Sequence, residues 1–242
     1  MQQISNNNIK RIRSLQLKKF RDLHHQYVVE GPKVVDEAIA TCPNDIEMLV
    51  CSDEYARFNL PENNCYYLAP AQLAKLGNQA SGTKILAVLR KKKHVLPERL
   101  NHWMLALDGI QDPGNLGTIL RTADWFGIKD IVCSEDTVDV FNPKCLQASM
   151  GSVFRVNVHY TNLEKWLRPF ADSVLAAALN GIDISTLEKQ QNGLLLLGNE
   201  GQGIRPNLQN MLPNKIRIPG HSECESLNVA VSAGILLHHF CV

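Results

Sequence analysis

Leu194-Leu195-Leu196-Leu197-Gly198-Asn199-Glu200-Gly201-Gln202-Gly203 is the stretch on which the reading of this chain turns. Four leucines that stop at Gly-Asn-Glu-Gly predict a buried strand delivering a glutamate into a glycine-lined bend. An apolar run without alternation belongs to a strand covered on both faces, hence a central one in a parallel sheet. The glycines after it let a ligand come close to the backbone. Downstream, IRIPGHSECE (216–225) is a second apolar and turn segment, and SLNVAVSAGILL (226–237) follows. Ser226 is placed to cap a final helix that is apolar almost all round and so expected to be buried. A buried strand, two loops of small residues and a buried helix together read as a cofactor pocket.

Working upstream, strands are expected at 104–107, 129–133, 153–158, 173–179 and 215–218. With 194–197 they make about six, parallel, with helices on both faces. After the first comes IQDPGNLGTILRTADWFG (110–127), a turn and then a helix with Asn115 as its cap. Leu116, Ile119, Leu120 and Ala123 form one core stripe. Arg121 lies off that stripe, and alone it reads as a surface arginine paired with Asp124 or Asp108. A further helix opens at Asn142-Pro143. The first ninety residues alternate as well. A helix spans 6–23 with Ser5 as cap and a face of Lys10, Arg11, Arg13, Lys18, Lys19 and Arg21. Strands follow at 27–31, 46–51, 65–68 and 85–89, with helices from Pro32, Asp53 and Pro70. Arg90-Lys91-Lys92-Lys93-His94 reads as a linker. Two domains result: 1–95, small and α/β, and 96–242, the parallel-sheet domain.

Composition narrows the classes. No apolar run reaches ~18 residues, so no membrane span is expected, and the first residues lack the apolar core of a secretory signal. Seven cysteines at irregular spacing, with no C-x-x-C and no H-E-x-x-H, speak against a disulfide framework or a metal site and for a reduced cytoplasmic home. Residues 1–94 carry 14 Lys/Arg against 9 Asp/Glu, while the remainder is net acidic. A polyanionic partner would meet the first domain first. GNQASGTK (77–84) lacks the Gly-Lys-Ser/Thr order of a phosphate loop and enters a strand. GNEGQG has the wrong glycine spacing for a dinucleotide fingerprint. His221 and Cys224 have no partner in sequence that would make a nucleophile or a metal ligand of them.

Three segments in order carry a family resemblance: Asn115-Leu116-Gly117-Thr118-Ile119-Leu120-Arg121, then Gly198-Asn199-Glu200-Gly201, then Ile218-Pro219 with Ser226-Leu227-Asn228-Val229. The set resembles the SpoU/TrmH family of RNA ribose 2'-O-methyltransferases, within the SPOUT superfamily, over residues 101–242. YVVEGPKVVDEA (27–38) resembles the opening of the small substrate-binding domain that often precedes the catalytic one. The resemblance implies an α/β sheet whose C-terminal segment threads a trefoil knot, holding S-adenosylmethionine (SAM) against Gly198, Asn199, Gly201, Ile218 and Leu227. It assigns Asn115, Arg121, Glu200, Ser226 and Asn228 to catalysis. Arg121 would clamp a phosphate rather than act as a base, since guanidinium keeps its proton far above neutral pH. It further implies a homodimer acting on structured RNA, ribosomal RNA before transfer RNA. A tRNA ribose methyltransferase and an inactive RNA-binding relative are the alternatives.

Overall fold

The structure is a computed structural model that describes residues 2–52, 64–78, 82–220 and 226–242. The helix expected from Asp53 and the loop with His221 and Cys224 lie outside the described residues. The chain forms two compact units, residues 1–93 with 141–154, and residues 94–140 with 155–242. The chain passes between these units three times, because residues 141–154 group with the first.

In the first unit, β1 (Gln2–Gln3), β2 (Gln26–Glu30), β3 (Ile46–Cys51), β4 (Cys65–Tyr67) and β5 (Ile85–Arg90) form a sheet ordered β1-β4-β3-β5-β2. β5 is antiparallel to both of its neighbours, and the other pairs are parallel. The helix expected over 6–23 is two, α1 (Asn6–Ser14) and α2 (Lys18–His24). Ser5 caps α1 as expected, its hydroxyl accepting from Asn8 N at 3.2 Å. The break is stabilised by Arg21, which is buried and donates to the Leu15 and Gln16 carbonyls at 2.9 and 2.8 Å. Those carbonyls end α1 and have no partner within it. Arg21 thus leaves the basic face, and Arg11 turns to Gln26 and Glu47. Lys10, Arg13, Lys18 and Lys19 stay exposed. The basic stretch at 90–92 is not a loose linker either. Arg90 ends β5 beside Glu47, Lys91 meets Asp22 and the Phe141 ring, and Lys92 meets Asp45.

α3 (Pro32–Thr41) starts on proline, whose missing N–H costs nothing at a first turn, and α4 (Pro70–Ala74) does the same. The helix opening at Asn142-Pro143, α6 (Pro143–Ser149), belongs to this unit. Its Leu146 lies in one core cluster with Tyr27, Val35, Leu49 and Leu89.

The second unit is built on β6 (Trp103–Asp108), β7 (Asp130–Ser134), β8 (Asn157–Thr161), β9 (Val174–Asp183), β10 (Gly193–Gly198) and β11 (Lys215–Arg217). All pair in parallel, in the order β11-β9-β10-β6-β7-β8. The leucine run is interior, between β9 and β6, as its composition predicts. Leu194 and Leu196 enter a cluster with Leu163, Trp166 and Leu167 of α7 (Leu163–Leu167) and Leu208 of α8 (Pro206–Met211). Leu195 and Leu197 point to the opposite face and are also buried. α9 (Val229–Cys241) packs on β10, and α5 (Pro113–Trp125) packs against α9.

Three local expectations are corrected. Residues 152–154 form a tight turn, so the strand expected over 153–158 is β8, starting later. α5 is capped by Asp112, not Asn115, because Pro113 takes the first helical position. α9 is capped by Asn228, not Ser226.

Candidate active site

Every strand end that matters here is a carboxyl end. In open parallel sheets ligands bind outside those ends, where loops leave the strands and helix N-termini point. Asp108, Ser134 and Gly198 end β6, β7 and β10.

From the β10 end the chain makes a small closed loop. Asn199 and Gly203 exchange two backbone hydrogen bonds of 3.0 and 2.9 Å. The Asn199 side chain works in both directions. Its Oδ1 accepts from Gly201 N at 2.9 Å, and its Nδ2 donates to the Gly109 carbonyl at 2.8 Å. Gly198 is required, since a Cβ there would overlap the backbone of Gly203 and Ile204. Gly203 turns the loop at a φ of +68°, a conformation that disfavours other residues. Glu200 is left exposed at the tip.

Glu200 faces two helix N-termini. Asn115, in the first turn of α5, donates from Nδ2 to Glu200 Oε1 at 2.7 Å. Its Oδ1 accepts from Asn228 Nδ2 at 3.0 Å. Asn228 meanwhile caps α9, its Oδ1 accepting from Ala230 N at 2.9 Å. Three residues of three sequence segments thus make one chain, Asn228 to Asn115 to Glu200. A carboxylate beside two helix N-termini is electrostatically favoured, and the ordered amides define a polar wall with one negative end.

The other expected residues join less tightly. Ser226 and Leu227 are exposed and sit two and one residues before Asn228, and Ile218 follows the end of β11 directly, partly buried. Arg121 is not drawn into the amide chain. It lies on the exposed side of α5, about 9 Å along the axis from Asn115, and has no hydrogen bond or ion pair among the described residues. The surface-pair reading of Arg121 fails, because Asp124 is bound by Arg155 at 2.7 Å and Asp108 by Arg205.

Arg205 escaped the sequence reading. Its backbone N–H donates to Asp108 Oδ2 at 2.8 Å and its Nε to Asp108 Oδ1 at 2.7 Å. Its Nη2 bonds both Asp108 and, at 3.1 Å, Asp136 Oδ1. The hydrogen bond to Asp108 raises the guanidinium above its ordinary pKa. Asp136 lies below the usual carboxylate range, held there first by Ser134 and then by its own backbone N–H and Arg205. Among the described residues no group of three His, Cys, Asp or Glu is arranged to hold a metal ion.

Residues 102–238 match the family model described as the SpoU rRNA Methylase family. The chain belongs to the SpoU rRNA methylase family. Residues 6–94 match the MRM3-like substrate binding domain. The chain is 31% identical to the 23S rRNA (guanosine(2553)-2'-O)-methyltransferase RlmP of Bacillus subtilis (strain 168), over 97% of this chain and 96% of that one. Among solved structures, a TrmH-family protein of Porphyromonas gingivalis superposes with a TM-score of 0.87 at 34% identity, covering 98% of each chain. An AdoMet-bound rRNA methyltransferase of Sinorhizobium meliloti gives 0.85 at 28% identity, covering 99% of this chain and 95% of that one. The parallel sheet is therefore the sheet of SpoU methyltransferases.

Proposed function

We propose that this SpoU-family chain is a SAM-dependent methyltransferase acting on a ribose 2'-hydroxyl of ribosomal RNA, in the cytoplasm. The observation that carries the reading is the Asn228–Asn115–Glu200 chain at the carboxyl end of the sheet, where all three family segments meet.

The site suits the cofactor. Gly198 lets the loop close tightly on the backbone of Gly203 and Ile204, and Ile218 and Leu227 offer apolar walls to an adenine-sized body. SAM bound there supplies a methyl group on a cationic sulfur to the ribose hydroxyl. The residues of the chain do the positioning, which is where most of the rate gain in such a displacement lies. Asn115 holds Glu200 in one orientation, and Glu200 can accept a hydrogen bond from a ribose hydroxyl on its remaining lone pairs. Arg121 is free to bind a backbone phosphate through its fork, and Ser226 is a short polar group next to Leu227. The exposed Lys10, Arg13, Lys18 and Lys19 give the first unit a cationic face for an RNA substrate.

A C-terminal trefoil knot is part of this proposal. β11 is the edge strand, yet α9 returns to β10 and α5 at the middle of the sheet, as a threaded segment must. A homodimer is part of it too. The outer side of α5 and α9 exposes Trp125 at 85%, Val231 at 51% and Ile235 at 37%. Leu146 of α6, by contrast, is already in the core of the first unit.

The test is methyl transfer from labelled SAM to undermodified ribosomal RNA by the purified protein. Label in an alkali-resistant linkage is expected, with Arg121→Ala lowering kcat/KM at least about hundredfold and leaving SAM affinity intact. Label in transfer RNA alone would move the substrate assignment. SAM and RNA binding without transfer would leave an RNA-binding protein.

A further inference from the structure

We infer that Arg205 is a positioning residue for the 199–205 loop, acting through Asp108. The inference rests on the reading of that loop as part of the SAM site. The two ends of the loop are pinned to adjacent residues, Gly109 and Asp108, where β6 ends. At its start Asn199 Nδ2 bonds the Gly109 carbonyl at 2.8 Å. At its end the Asp108 carboxylate takes the backbone N–H of Arg205 on one oxygen and the guanidinium on the other. Between the pins, the Asn199–Gly203 pair closes the loop and leaves Glu200 at its tip. Where Glu200 stands relative to Asn115 therefore depends on both anchors.

The Asp108 side chain is fully buried, and Arg205 is the cation that compensates it. A buried carboxylate without a cation would seek water and pull the β6 end out of place. The same guanidinium reaches Asp136 at 3.1 Å, and Asp136 lies in the loop that leaves β7. One arginine thus joins three loops that leave three neighbouring strands. Its planar fork supplies directed bonds, which a lysine ammonium cannot reproduce. Arg205 itself is assigned no contact with a reacting atom, so its effect should fall on the cofactor and spare RNA affinity.

The experiment uses the full chain with Arg205→Ala, Arg205→Lys and Asp136→Ala. SAM affinity is read by titration calorimetry, KM for SAM and for RNA separately, and amide hydrogen exchange over 199–205. Arg205→Ala is expected to weaken SAM at least about tenfold with KM for RNA unchanged. Exchange should quicken over 199–205 and not in β7 or α9. Arg205→Lys should recover only part of the loss, and Asp136→Ala should cost about threefold or less. Should the alanine variant fail to fold, Arg205→Lys carries the same split. Unchanged SAM affinity in the arginine variants would overturn the inference alone. Parallel loss of SAM affinity, RNA affinity and thermal stability would also overturn it, by reducing Arg205 to a fold residue. A wild-type protein that binds no SAM would remove the site reading and this inference with it.

Discussion

Asn115 spends both ends of its amide on other family segments, donating a hydrogen bond to Glu200 and accepting one from Asn228. Removing it cuts two bonds at once, one of them to a carboxylate. Asn115→Ala should lower kcat/KM about ten- to hundredfold, and Asn115→Asp should do worse by placing a second carboxylate against Glu200. Steady-state kinetics on the two variants checks both. The glycines separate as sharply. Gly198→Ala forces a methyl into the backbone of Gly203 and Ile204, whereas at Gly201 a Cβ would meet only Asn199 Oδ1, at 3.6 Å. Thermal unfolding should show a large loss of stability in the first and little change in the second. At this scale Asn115, Glu200 and Asn228 were legible, because each stands in a recognisable segment. Arg205 was not, because it follows a glycine turn without periodicity and its partner Asp108 lies 97 residues away.

Strands were easier to read than caps. The leucine run announces a strand covered on both faces, and β10 is one. Its neighbours were out of reach, since an order such as β9-β10-β6 depends on pairings between distant segments. The two caps show the same limit at the end of a helix. Ser226 and Asn228 are both good capping residues, and what selects Asn228 is its tertiary bond to Asn115. Asn228→Ala should therefore cost about 1 kcal/mol in denaturant unfolding. At the amino end of the sheet, Asp130 joins β7 to β8 and to the segment before β6. Burial alone would raise its carboxyl, but hydrogen bonds from His159, Asn157 and His102 outweigh that and hold it below the usual carboxylate range. A depressed carboxylate contributes stability that is present above its unfolded pKa and lost as pH falls through its folded one. Asp130→Asn should thus be less stable than wild type at pH 7, with the gap closing below about pH 4. Unfolding curves across that range would show it, and a gap independent of pH would contradict it.

At the scale of the molecule, α6 was visible as a helix opening at Asn142-Pro143, but what it packs against was not. The answer, the core of the first unit, makes the chain cross between units twice more than composition suggests. α9 was expected to be buried all round, and instead leaves Val231, Ile235 and His238 outward at successive turns. An unpaired apolar stripe beside an exposed Trp125 is what a second copy would cover. Val231→Glu with Ile235→Glu should convert a dimer to a monomer in sedimentation velocity while the far-UV circular dichroism stays unchanged. A wild-type monomer at micromolar concentration would remove the dimer from the proposal. Methyl transfer to ribosomal RNA has its most direct test in the cell's own RNA. Ribosomal RNA from a strain lacking this gene, digested to nucleosides and analysed by mass spectrometry, should lack one ribose-methylated nucleoside that returns with the wild-type gene and not with Arg121→Ala. An unchanged set of ribose methylations, or the loss of a base methylation instead, would contradict the proposed reaction.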